Sequence, residues 1–371
     1  MKKKVLIFLV AVATPLLCET YLSNKSCNEC HPDIYNEYQA SWHAKTWFND
    51  TFHKKVAGKI PVYDCGRCHM PSADNLRAME EGKTRPNPIH KRQKDAISCF
   101  YCHTIAYVKA AHRFNEIQSA RQAEGYKPTL YGSLENPDDS DKHAMVRSPI
   151  YERYACLGCH GHKRNSYGVL IFRTVEGTDG SKKCIECHMP MVSGGPEKMN
   201  KRSRLEHHSH RFPGIHSASM RQKSVDISIV PEGDTLSVRL KNKMGHPLII
   251  QPGRMKYLHI TLLRDGKKIW ENFADNPRED TQACFVTDFV DDDGKPVAIP
   301  YFAKKRGFVN NLEAYKEKTL RYKVPSLHKN DRIVVEMFVI PAKPSCARAI
   351  GLDEKSFTRP ILMKRVETNV R

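Results

Sequence analysis

Five pentapeptides of one form dominate the chemistry of this chain: Cys27-Asn28-Glu29-Cys30-His31, Cys65-Gly66-Arg67-Cys68-His69, Cys99-Phe100-Tyr101-Cys102-His103, Cys156-Leu157-Gly158-Cys159-His160 and Cys184-Ile185-Glu186-Cys187-His188. The chain has 13 Cys and 18 His in 371 residues. Shuffling that composition gives about 0.02 copies of C-x-x-C-H. Two thiols three positions apart on one helical turn can add across the two vinyl groups of a single haem. The next residue, His, is then held under the iron as proximal axial ligand. A thioredoxin-like C-x-x-C needs no following His and would occur once. Zinc ribbons pair C-x-x-C motifs but place no demand for His on the next position. A disulfide within each pair is disfavoured by geometry. The spacing therefore predicts five covalent haem c groups, anchored by ten of the cysteines, with His31, His69, His103, His160 and His188 as proximal ligands.

Thirteen histidines remain for the other face of each iron: His43, His53, His90, His112, His143, His162, His207, His208, His210, His216, His246, His259 and His328. This supply is ample for bis-histidine ligation at all five. Methionine is the common alternative sixth ligand. Met70 and Met189 each follow a motif His directly, which suits packing at a haem edge better than ligation.

The elements that must position these groups are unusual. All five motifs lie before residue 190, with gaps of 38, 34, 57 and 28 residues between their starts at 27, 65, 99, 156 and 184. Roughly forty residues per haem are too few to bury a conventional core around each. The haems must therefore form much of the interior, wrapped by short helices and loops. Helices are expected over 31–50, 72–82, 104–124 and 143–160, with proline-rich breaks at 86–88 and 136–137. From about residue 222 the apolar period changes to two. Val225, Ile227 and Ile229, then Glu232-Gly233-Asp234, then Leu236, Val238 and Leu240 read as a hairpin. Tyr257 to Leu263, Asp265-Gly266 and Ile269-Trp270 read as another, and strands are expected again at 320–324 and 333–340. The fold class is α+β: a mostly helical and loop multihaem domain over 21–221, followed by an all-β, sandwich-like domain over 222–371. Cys284 and Cys346 are expected to form a disulfide there. Asp291-Asp292-Asp293-Gly294 reads as a solvated turn rather than a calcium loop.

Met1-Lys2-Lys3-Lys4 followed by the apolar stretch 5–17 has the form of a signal peptide, so residues 1–20 are expected to direct export to the periplasm or cell surface. Leu17 argues against lipidation of Cys18. No run of 18 apolar residues exists, which excludes an integral helical membrane protein. Mean hydropathy is −0.57 and the formal net charge is +19. Five haems bring about ten propionate charges and leader removal takes about three positive ones, so the mature protein is only mildly basic. Nucleic acid is accordingly not an expected partner.

Tyr38-x-x-Ser41-Trp42-His43-Ala44 resembles the S-x-H-A signature of the multihaem cytochrome c family, which includes the tetrahaem electron acceptor of hydroxylamine oxidoreductase. Asp95-Ala96-Ile97-Ser98 and Cys187-His188-Met189-Pro190 are similar to patterns of the same group. Asn242-Lys243-Met244-Gly245-His246-Pro247 partly resembles a stretch that opens a β-domain in larger members. The resemblance implies distal ligation by His43, His90, His143 and His210, with the fifth ligand open among His53, His112, His216 and His246. Five closely packed haems with histidine on both faces make a conduction path, so electron transfer to or from a redox partner, such as a membrane-associated quinol or reductase complex, is expected, with an oligomer or a subunit of a cytochrome filament as a further form. The alternative is an oxidoreductase acting on a small nitrogen or sulfur compound at one open haem. The absence of C-x-x-C-K argues against a close relative of pentahaem nitrite reductase.

Overall fold

The computed structural model describes residues 21–371 apart from 46–50, 58, 61–63, 88, 121, 123–125, 175–181 and 199–201. The expected leader, with Cys18, lies outside the described residues.

Every motif starts or sits on a short helix: Asn24–Asn28, Gly66–His69, Cys99–His103, Tyr154–His160 and Cys184–His188. The amide of His31 donates to Cys27 O at 2.9 Å and that of His69 to Cys65 O at 3.0 Å. One α-turn thus separates the first cysteine from the histidine, which brings both thiols and the imidazole to one side. Ser23 and Ser98 cap the first and third of these helices, accepting from the amides of Ser26 and Tyr101. Such caps satisfy donors that a one-turn helix cannot pair internally.

The connections depart from expectation in two places. The described residues of 104–124 form no helix: Ile105–Lys109 and Glu116–Ser119 form an antiparallel hairpin. Its β-branched Ile105, Val108 and Ile117 suit a pleated strand, and Ile117 packs against the fourth motif. A Cβ at Gly158 would stand 2.5 Å from Ile117 Cγ1, so only glycine admits this approach. In 143–160, Ala144–Arg147 is a strand parallel to Thr129–Gly132, and only Tyr154–His160 is α-helical. Pro149 separates them, since proline disfavours helix in the residue before it. The expected helices over 31–50 and 72–82 are shorter, at Pro32–Ala40 and Leu76–Glu80.

Buried apolar side chains are sparse in this part. One small group, Met70, Ala73 and Met79, packs with Cys65 and Leu76. Polar ties do much of the fastening. The side chain of Asn24 donates to Tyr38 Oη (3.2 Å) and Asp95 O (3.1 Å) and accepts from the Cys99 amide (2.8 Å). Tyr38 Oη donates to the carbonyl oxygens of Asp95 and Ile97, both at 3.0 Å. The segments carrying the first and third motifs are locked together by these bonds.

From Val225 the chain is antiparallel β. Three strands pair in the order Glu317–Lys323, Thr235–Asn242, Val225–Glu232. A six-stranded sheet runs Lys305–Asn310, Cys284–Val290, Met255–Arg264, Arg332–Ile340, Ile361–Asn369, with Lys267–Glu271 also paired to Met255–Arg264. One apolar core joins the two: Leu236, Val238, Leu240 and Leu320 of the first sheet with Leu258, Ile260, Leu262, Ile333 and Val335 of the second. This is a sandwich arrangement. Cys284 and Cys346 are both buried and free, which corrects the expected disulfide. Cys284 packs among Met255, Tyr257 and Phe273, while Cys346 lies on the helix Pro344–Ile350 against Gly253. Asp291–Gly294 is a turn closed by Lys295, whose amide donates to Asp291 Oδ1 at 2.8 Å. Among the described residues no helix is long and apolar enough to cross a membrane.

Candidate haem centres

Four motif histidines each face one partner histidine across a fixed gap. The ring centroids of His31 and His143 are 6.2 Å apart, those of His103 and His210 6.2 Å, those of His188 and His246 6.4 Å, and those of His43 and His160 6.1 Å. Two metal–imidazole bonds of about 2 Å each, plus about 1 Å within each ring, give about 6 Å. The spacing is that of two imidazoles ligating one iron from opposite sides. Interplanar angles are 29°, 24° and 19° in the first three pairs and 47° in the pair His43–His160.

Backbone carbonyls aim these rings. On the proximal side, Nδ1 of His31 bonds Pro196 O (2.7 Å), that of His103 bonds Tyr131 O (2.7 Å) and that of His188 bonds Pro213 O (2.8 Å). On the distal side, Nδ1 of His210 bonds His208 O at 2.8 Å and that of His246 bonds Pro247 O at 2.9 Å. A proton fixed on Nδ1 leaves the Nε2 lone pair for the metal and raises ligand basicity. Burial also keeps the rings neutral. It lowers the pKa of His43 and His210 to about 3 and of His160 and His246 to about 4, and shifts His69, His103 and His143 the same way. Neutral imidazole is the ligating form.

The second motif differs. His53, on the helix Thr51–Ala57, lies with its ring centroid only 4.3 Å from that of His69, and its Nε2 is 2.7 Å from His69 Nδ1. Here His53 stands where a carbonyl stands in the first, third and fifth motifs, as the hydrogen-bond partner of the proximal ring.

Of the eight sequence candidates, His43, His143, His210 and His246 thus face motif histidines, and His53 contacts one through the other nitrogen. His90 does not, contrary to the resemblance: it is half-buried and its Nδ1 lies 3.7 Å from Asp74. His112 is exposed, and the exposed His216 stacks on Trp42 at 4.3 Å. The tract His207-His208-Ser209-His210 is no metal cluster. His207 bonds Gly194 O and Glu37, His208 bonds Met189 O, and His210 faces His103. Sequence reasoning missed the orienting carbonyls of Tyr131, Pro196 and Pro213; a backbone acceptor leaves no side-chain signature.

The loop carrying His246 lies between the strands Thr235–Asn242 and Met255–Arg264, so the sandwich supplies the ring facing the fifth motif. Buried Asn242 organises that loop, donating to His246 O (2.9 Å), Leu312 O (3.1 Å) and Glu313 O (3.0 Å). Ties between the motif segments also fix a spatial order. Asn24, just before Cys27, accepts from the Cys99 amide (2.8 Å), and Tyr151, just before Cys156, donates to Cys102 O (2.6 Å). Arg153 donates to Lys182 O next to Cys184, and Lys163, just after His160, reaches Asp64 beside Cys65 at 2.6 Å. The motifs therefore run first, third, fourth, fifth, with the second beside the fourth. At the two ends of that run Cys30 and Cys187 are exposed, whereas the other motif cysteines are partly covered.

This fold and donor set define a multihaem c-type cytochrome, and the thiol pairs and facing histidines fit covalently bound haem c. Residues 26–104 match the family described as cytochrome c554 and c-prime. The whole chain is similar in fold to a penta-heme cytochrome c552 from Thermochromatium tepidum, with a TM-score of 0.75 and 23% identity over 94% of this chain and 99% of that one. A comparison with curated proteins finds no match.

Proposed function

We propose that the chain is an exported electron carrier, with its pentahaem part over 21–221 and its β part over 222–371. In this reading it passes electrons between protein redox partners along five haems, four of them held by histidine on both faces. Haem c, when bound, supplies a one-electron iron couple whose potential depends on ligands, burial and hydrogen bonds. The carrying observation is the set of four facing histidine pairs at 6.1–6.4 Å. Histidine on both faces closes an iron to substrate, and carbonyl-fixed rings hold the site rigid, as electron transfer requires. The exposed Cys30 and Cys187 support partner contact at the first and fifth motifs. Kinship with the tetrahaem acceptor of hydroxylamine oxidoreductase is supported by Ser41-x-His43-Ala44 and by the family match over 26–104.

One observation favours a second reading, an oxidoreductase acting on a small nitrogen or sulfur compound. It is the contact of His53 with Nδ1 of His69 at a ring spacing shorter than that of the four facing pairs, which among the described residues are found only at the other motifs. The resting ferric spectrum with added cyanide or nitrite tests the two. Five low-spin haems inert to both support the carrier. One high-spin haem that binds either ligand at once selects the enzyme.

A further inference from the structure

The start of the strand Met255–Arg264 takes two cations into the region where the fourth and fifth motifs meet. Arg254 is half-buried, and its charge bears on both His160 and His246. Lys256 is 5% exposed, and its Nζ donates to Leu248 O at 2.5 Å, in the loop that carries His246. Neither faces a carboxylate. Among the described residues Arg254 makes no ion pair, and Lys256 has only the carbonyl.

Another lysine of the same sandwich shows what a satisfied buried cation looks like. Lys343 is 2% exposed, and its Nζ reaches Thr287 O at 2.7 Å and Asp288 Oδ1 at 3.2 Å. Asp288 is in turn gripped by Arg278 through two bonds of 2.8 Å. A buried charge without a counter-charge is costly, and removing the need for it by mutation is easy, so an unpaired pair of cations points to an anion that arrives from outside the polypeptide. Burial presses Arg254 down to about 10, and burial together with the charge of Arg254 presses Lys256 down to about 7. Each haem c brings two carboxylates, and arginine grips a carboxylate through a two-point fork.

We propose that Arg254, together with Lys256, seats a haem propionate at the junction of the fourth and fifth motifs and holds a haem there at a higher reduction potential than an uncharged junction would. Positive charge near an iron favours its reduced, less positive state. The inference rests on haem at those motifs, so occupancy is measured separately. The full chain carrying R254Q is weighed intact to count covalent haems, then titrated potentiometrically to resolve the midpoints. The expected result is five haems, a downward shift in one or two midpoints, and recovery of most of that shift in R254K. Five haems with all midpoints unchanged would overturn it. A wild-type mass lacking a haem at either motif overturns the occupancy reading, and the seat with it. If R254Q does not assemble, K256M carries the test: a lowered midpoint supports the seat and unchanged midpoints overturn it.

Discussion

Between Tyr21 and Lys223 the buried apolar side chains are scattered and the fastening is polar: Asn24 bridges Tyr38, Asp95 and Cys99, and carbonyls pin the imidazoles. From Val225 onward one continuous core of Leu, Ile, Val and Phe joins two antiparallel sheets. The first region has cysteines and histidines where the second has its aliphatic interior. The contrast teaches where each interior comes from. In the β region the sequence carries its own apolar filling. In the motif region it carries attachment points, and the filling is the prosthetic group.

The largest expected consequence follows from withholding that group. Chain made without thioether attachment should lose hydrogen-exchange protection over 21–221 and keep slow exchange in strands such as Met255–Arg264 and Arg332–Ile340. Uniform protection, or uniform loss, would break the comparison. Next in size is Leu258→Ala, which empties a fully buried position of the sandwich. It should lower stability by about 2–5 kcal/mol in denaturant titration without moving the haem spectrum. Asn24→Ala is the polar counterpart. It strips partners from buried groups and should cost about 1–3 kcal/mol, read as weaker protection around the first and third motifs. The smallest effect belongs to His90→Ala. Its ring is only half-buried, with one carboxylate 3.7 Å away, so stability should stay within about 0.5 kcal/mol and the spectrum should not change.

The attachment motifs were legible because covalent chemistry demands fixed residue types at fixed spacing. The hairpins at 225–242 and 255–271 were legible because alternation and Gly-containing turns are local signals. The hairpin at 105–119 was not. Its strands are four and five residues long, too short for a period to be read, and they are placed by contact with Gly158. Distal histidines sit between these cases. His43 and His210 were singled out through neighbouring motifs, while His246 ranked behind His90 because the pairing depends on where the sandwich docks. Arg254 and Lys256 carried no sequence signal at all: a cation in a basic chain becomes informative only once its burial and lack of a carboxylate are seen.

The account's central claim is that the two regions complete one another at the fifth motif, with the sandwich supplying His246 opposite His188. The direct measurement is the ferric spin state of His246→Ala, with intact mass confirming five attached haems. The account predicts that one haem of five becomes high-spin and binds cyanide while the others stay as in the wild type. A fully low-spin spectrum from a variant with five haems would contradict it.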